Sequence, residues 1–107
     1  MGLFGRREDS KKFKLAQAEK FSNLVIESVT ERVDYEEILV GSAGSTSMRG
    51  NRFIICSDGK VVFEGDVLEI SISELMSRNG IIIQGWDYET ERERTVVAHF
   101  SYYRKLK

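Results

Sequence analysis

The side chains able to do covalent or acid–base chemistry are few. One histidine, His99, and one cysteine, Cys56, stand in a chain whose carboxylates gather at Glu36-Glu37 and at Asp87, Glu89, Glu91 and Glu93. A serine or cysteine nucleophile would have to use His99 as its base. No G-x-S-x-G elbow is present to present a serine in front of a helix. A lone cysteine excludes an internal disulfide and a cysteine-based zinc site, and no carboxylates fall at the spacing of a calcium loop. Paired carboxylates act as acid and base only where a cleft drives their pKa values apart, and these lie in polar segments. The expectation is a protein without catalytic residues, metal or cofactor. Cys56 is expected as a small core residue and His99 as a packed or rim residue.

The segment GSAGSTSMRGN, residues 41–51, is the one glycine- and serine-rich stretch. It lacks the Gly-Lys-Ser/Thr ending of a phosphate loop and does not precede a helix. It reads as a surface loop suited to recognition, with Met48 and Arg49 as contact residues and Arg52 beside them.

Charge is unevenly spread. The net charge is −1. Residues 1–20 carry six basic and three acidic groups, and residues 101–107 carry three basic groups. The two ends are therefore basic and the body is acidic, which argues against a generic polyanion binder. Basic ends on an acidic body would attract an acidic surface, such as the body of a second copy. No apolar run reaches the length of a membrane span, and MGLFGRRED lacks the apolar core of a signal peptide. One cysteine and no leader fit a cytoplasmic protein.

At 107 residues the chain is expected to form one domain, residues 10–107, behind a flexible basic tail at 1–9. Asp9 or Ser10 caps a predicted helix over 10–21, with Leu15, Ala18 and Phe21 on one face. LVIESVTERV alternates as a long strand, Asp34-Tyr35 breaks it, and EEILVG resumes as a second strand. RFIIC-SDGK-VVFE is the clearest hairpin, with Asp58-Gly59 suited to a type I′ turn. Both its faces are apolar, so it should be central. Its two-residue loop pairs Cys56 with Val61 and Ile54 with Phe63. Val67–Ile70 reads as a short strand or extended link. Ser71 and Glu74 form a capping box, which predicts a two-turn helix at 72–78. GIIIQGWD and the run ending in VVAHF form a last hairpin. The fold class is mainly β: a small antiparallel barrel or sandwich of five to six strands, with an N-terminal helix and one short helix before the C-terminal hairpin.

These elements suggest a small non-catalytic binding module of a regulatory kind, whose partner is another protein or a second copy. The working surface joins Trp86, Tyr88, Arg94, His99 and Tyr103, with Met48 and Arg49 beside it, because aromatics with arginine make interface anchors. Five strands with a short helix before the last two resemble, in element order alone, the oligonucleotide-binding barrel. That resemblance implies single-stranded nucleic acid on Phe53, Trp86, Tyr88, Tyr102 and Tyr103, flanked by Arg52, Arg94 and Arg104. The acidic body weighs against it. A small enzyme with a carboxylate–His99 site is the least favoured reading.

Overall fold

The computed structural model describes residues 3–100, with side chains described from Ser10 onward. Helix α1 (Leu3–Lys20) leads into seven strands: β1 (Val25–Val33), β2 (Glu36–Arg49), β3 (Arg52–Ser57), β4 (Lys60–Asp66), β5 (Ser71–Glu74), β6 (Gly80–Asp87) and β7 (Arg92–His99). All seven lie in one antiparallel sheet, in the order β4-β3-β2-β1-β7-β6-β5. The mainly β fold is as expected, but the sheet is neither a closed barrel nor a sandwich. It is one strongly curled sheet with its core on the inner face.

That core is built mainly from β1, β3, β4, β6 and β7, with Val40 and Met48 of β2 and Ile72 of β5 packed against it. Ile26 and Val29 of β1, Phe53 and Ile55 of β3, Phe63 of β4, Ile81 and Ile83 of β6, and Val96 and Ala98 of β7 are all fully buried. Phe21 and Leu24, where α1 gives way to β1, close one end together with Val67, Ile70 and Phe100. Thr46 pins that end. Its hydroxyl donates to Phe21 O at 2.6 Å and accepts from Leu24 N at 3.0 Å.

Curling brings the two ends of the sheet together without a continuous ladder. Tyr88 N donates to Glu64 O at 2.8 Å, and Glu64 N donates to the Asp87 carboxylate at 2.8 Å. Gly85, at φ 151, lets β6 lie close against Ile70, where a Cβ would meet Ile70 Cγ2 at 2.8 Å. The outward backbone groups of β4 at residue 64 are thereby satisfied. At the opposite edge Lys14 Nζ donates to Leu68 O and Ile70 O, and Gln17 Nε2 donates to Ile72 O. Helix α1 therefore covers the rim that β5 would otherwise present.

Several expectations need correction. The sheet has seven strands, not five to six, and the β3–β4 hairpin lies at one end of it with β4 outermost, not at its centre. Residues 71–74 are strand β5, paired with Ile81–Gln84, not the start of a helix at 72–78. A two-turn helix has a costly nucleus, and an unpaired β6 edge offers the same residues a full ladder. Val67–Ile70 lies in the turn between β4 and β5, not in a strand. Residues 41–49 belong to β2, which pairs with β3 over Gly44–Arg49 and with β1 at Gly41 and Ser42, so no recognition loop exists there. The small residues serve close backbone approach: a Cβ on Gly44 would lie 1.9 Å from Cys56 O. The helix starts at Leu3, well before Ser10. The β3–β4 hairpin has the expected Asp58-Gly59 turn, with φ of 54 and 81, and the expected Cys56–Val61 pair. A bulge then shifts the register, so Ile55, not Ile54, faces Phe63.

Candidate interaction surface

The expected working surface does not assemble as one patch. Trp86 is opposite Glu93 at one end of the β6–β7 hairpin, and His99 is opposite Gly80 at the other. Six residues of strand separate them, about 20 Å. Tyr103 lies outside the described residues, as do Tyr102 and Arg104. Met48 packs against the core, and Arg49 is exposed opposite Arg52. Trp86 and Tyr88 are half-exposed. Tyr88 is held in place: the Arg52 guanidinium lies 3.8 Å from its ring centroid, and its hydroxyl donates to Glu69 at 3.2 Å. That hydrogen bond raises the Tyr88 pKa. Arg52 is also paired with Glu64 at 3.1 Å.

Arg94 belongs to the interior. Only 4% of its side chain is exposed. It bonds Asp87 at 2.8 Å, Glu31 at 2.8 Å and the Val62 carbonyl at 2.7 Å. Arg92 adds two bonds to Glu31, at 2.7 and 3.2 Å. Asp87 is fully buried and is the hub of its end of the sheet. It accepts from the N–H groups of Glu64, Glu89 and Thr90 and from the Thr90 hydroxyl as well as from Arg94. Burial works against the Asp87 anion, but these donors, Thr90 and Glu64 foremost, outweigh it and lower its pKa. The hydrogen bond from Arg92 does most to lower that of Glu31, against the cost of burial. Burial opposes the charge on Arg94 as well, yet its two carboxylates raise its pKa. All these groups stay ionised at neutral pH. The network ties β1, β4, β6 and β7 together and offers neither a general acid nor an acceptor in need of a proton.

Glu31 also marks the root of the expected β1–β2 hairpin, whose projection beyond its neighbours sequence reasoning missed. β1 pairs with β7 only over Ser28–Glu31, and β2 pairs with β3 only over Gly44–Arg49. Beyond those limits neither the end of β1 nor the first part of β2 has a strand on its outer side. The free two-stranded ribbon runs from Arg32 to Glu37, and from Ile38 to Ser42 the outer edge of β2 stays open while its inner side pairs with the part of β1 that β7 holds. Its turn, Asp34-Tyr35, has φ of 48 and 70. Asp58 closes the base of its β2 side, accepting from Ser42 N at 3.1 Å, and Asp58 N donates to Ala43 O. His99 stands 3.6 Å from Glu37, which accepts from Thr30 Oγ1 at 2.6 Å. That hydroxyl does most to lower the Glu37 pKa.

The ribbon carries exposed apolar groups: Val33, Ile38, Leu39 and Tyr35, the last completely solvated. With Phe13, Met76, Trp86 and Tyr88, these are the large hydrophobic residues left exposed among the described residues. The signal for the ribbon was present in the sequence. EEILVG breaks strict alternation by placing Ile38, Leu39 and Val40 side by side, which exposes at least one apolar residue on a two-stranded ribbon. Among the described residues no helix is long and apolar enough to cross a membrane, and no three His, Cys, Asp or Glu are grouped to hold a metal ion. Comparison of the chain with family models, with curated proteins and with solved structures finds no match.

Proposed function

We propose that this chain is a non-catalytic binding module that engages another protein through the β1–β2 ribbon. The observation that carries the reading is a projecting hairpin whose outer β2 edge has no strand beside it and whose apolar side chains stay exposed. Val33, Tyr35, Ile38 and Leu39 stand outside the core cluster, and apolar groups held together in water favour a covering surface. The β2 side of the ribbon over Glu36–Val40 also has no strand beside it, while α1 covers the β5 edge and Asp87 and Tyr88 cap β4. This leaves the ribbon as the free sheet edge that a partner can extend. The reading places the working surface there and gives Trp86 and Tyr88 a supporting place at most. A cytoplasmic setting suits the unpaired Cys56.

A photo-crosslinking residue at position 35, introduced into the full chain in its source cells, tests the proposal. The expected result is a discrete protein adduct that disappears when Ile38→Asp and Leu39→Asp are added. No adduct, or one indifferent to those changes, refutes it.

A further inference from the structure

The ribbon is not the only apolar feature left open. A groove of about 300 Å³ runs between α1 and the β5 edge, lined by Phe13, Lys14 and Gln17 on one side and Val67, Ile70 and Ile72 on the other. Phe13 stands on its rim, 64% exposed. The volume is at the small end of the range of clefts that bury a ligand, roughly 300–1,000 Å³, and suffices for one aromatic side chain. The helix beside it is basic: Lys11, Lys12, Lys14 and Lys20 against Glu19 over residues 10–20. The ribbon tip is acidic: Asp34, Glu36 and Glu37 against Arg32.

Tyr35 adds a second, independent pointer. It occupies the second central position of a turn that favours glycine or asparagine there. A non-glycine residue held in the left-handed region carries strain. Its side chain touches nothing that would offset that strain, since it is fully solvent-exposed. Folding therefore gives no reason for a tyrosine at this position.

On the reading that the ribbon is a protein-docking element, we infer that its partner is a second copy of this chain. Tyr35 of one copy enters the α1–β5 groove of the next, and Asp34, Glu36 and Glu37 meet Lys11 and Lys12 around it. Opposite charges steer this head-to-tail contact. Pairing ribbon to ribbon would instead leave the groove empty and give the acidic tip no basic partner. The contact is heterologous, so copies add into a ring or an open chain and do not stop at a two-fold dimer.

The test uses the purified full chain and two variants. Tyr35→Gly removes the knob and keeps the groove; Phe13→Asp spoils the groove and keeps the knob. Sedimentation velocity from micromolar to millimolar protein should show the unchanged chain growing beyond a dimer, less so at high salt. Each variant alone should associate about thirtyfold more weakly or worse, as for loss of an interface anchor. An equimolar mixture should form a one-to-one dimer and nothing larger, because one intact knob meets one intact groove. A chain that stays monomeric at millimolar concentration overturns the inference. So does a mixture that fails to dimerise, or a Tyr35→Gly variant that assembles like the parent. Binding to anionic vesicles through Phe13 in place of self-association overturns it as well. If crosslinking from position 35 traps a different protein, the docking reading stands and only the identity of the partner falls.

Discussion

Arg94 shows how much depends on one buried charge. Its guanidinium holds Asp87 and Glu31 from opposite sides, and all three are withdrawn from water. Replacing it with methionine takes from buried Asp87 its one cationic partner and leaves Glu31 with Arg92 alone, and should destabilise the fold by about 3 kcal/mol in urea denaturation. Asp87→Ala should cost more than Glu31→Ala, because Asp87 alone also satisfies three backbone N–H groups. Both carboxylates have lowered pKa values in the folded chain. Their contribution is therefore present in full above their unfolded pKa values, and is lost as pH falls from roughly 4 through the lower folded values. Thermal midpoints should be flat from neutral pH to about 5 and drop steeply below 4, with the drop blunted in Arg94→Met. The sequence showed a charged residue at position 94 but not its burial. Its partner Glu31 is 63 residues away, and only the β1–β7 register brings the two together. Asp87 was hidden for the same reason, since most of its role is to receive amides from its own turn and from β4.

At the scale of elements, the sequence disclosed those whose signals are local. The Asp58-Gly59 hairpin, the alternating β1 and the apolar β6 and β7 are where their residues say they should be. β5 and the second half of β2 were illegible because tertiary pairing overrides local signals there. Ser71–Glu74 carries a helix cap, but the free edge of β6 recruits it as a strand. The glycines of residues 41–50 suggested a loop, whereas Gly41 and Gly44 let β2 press against the β3 backbone. Gly44→Ala should therefore lower stability by about 1–3 kcal/mol, since its Cβ meets a carbonyl that cannot swing aside. A flexible-loop glycine would tolerate the change, so thermal melting distinguishes the two views. Lys14 shields the β5 rim by donating to two carbonyls. Lys14→Met should leave them unmatched and raise the chain's tendency to aggregate on heating, measured by turbidity.

The whole molecule is a curled sheet whose ends are stitched together by Asp87 and Tyr88, whose β5 rim is covered by a helix, and whose β1–β2 ribbon runs free. With Glu64 of β4 and Ile72 of β5 bonded from outside the ladder, the open strand edge at Glu36–Val40 stands out, and four exposed apolar side chains accompany it. Aromatic residues at 86, 88 and 99–103 suggested a different surface from sequence, because strand composition reveals which residues are aromatic but not which strands outrun their neighbours. That property depends on where each ladder stops, and the stopping points of β1–β7 and β2–β3 are set by residues far apart in the chain. The account rests on the ribbon being the part that partners cover. Amide hydrogen exchange on the full chain, alone and bound to the protein trapped by crosslinking from position 35, tests this directly. Slowed exchange across residues 32–41, with Tyr88 and Trp86 unchanged, is the predicted result; protection centred on 86–88 with the ribbon exchanging as freely as before would contradict it.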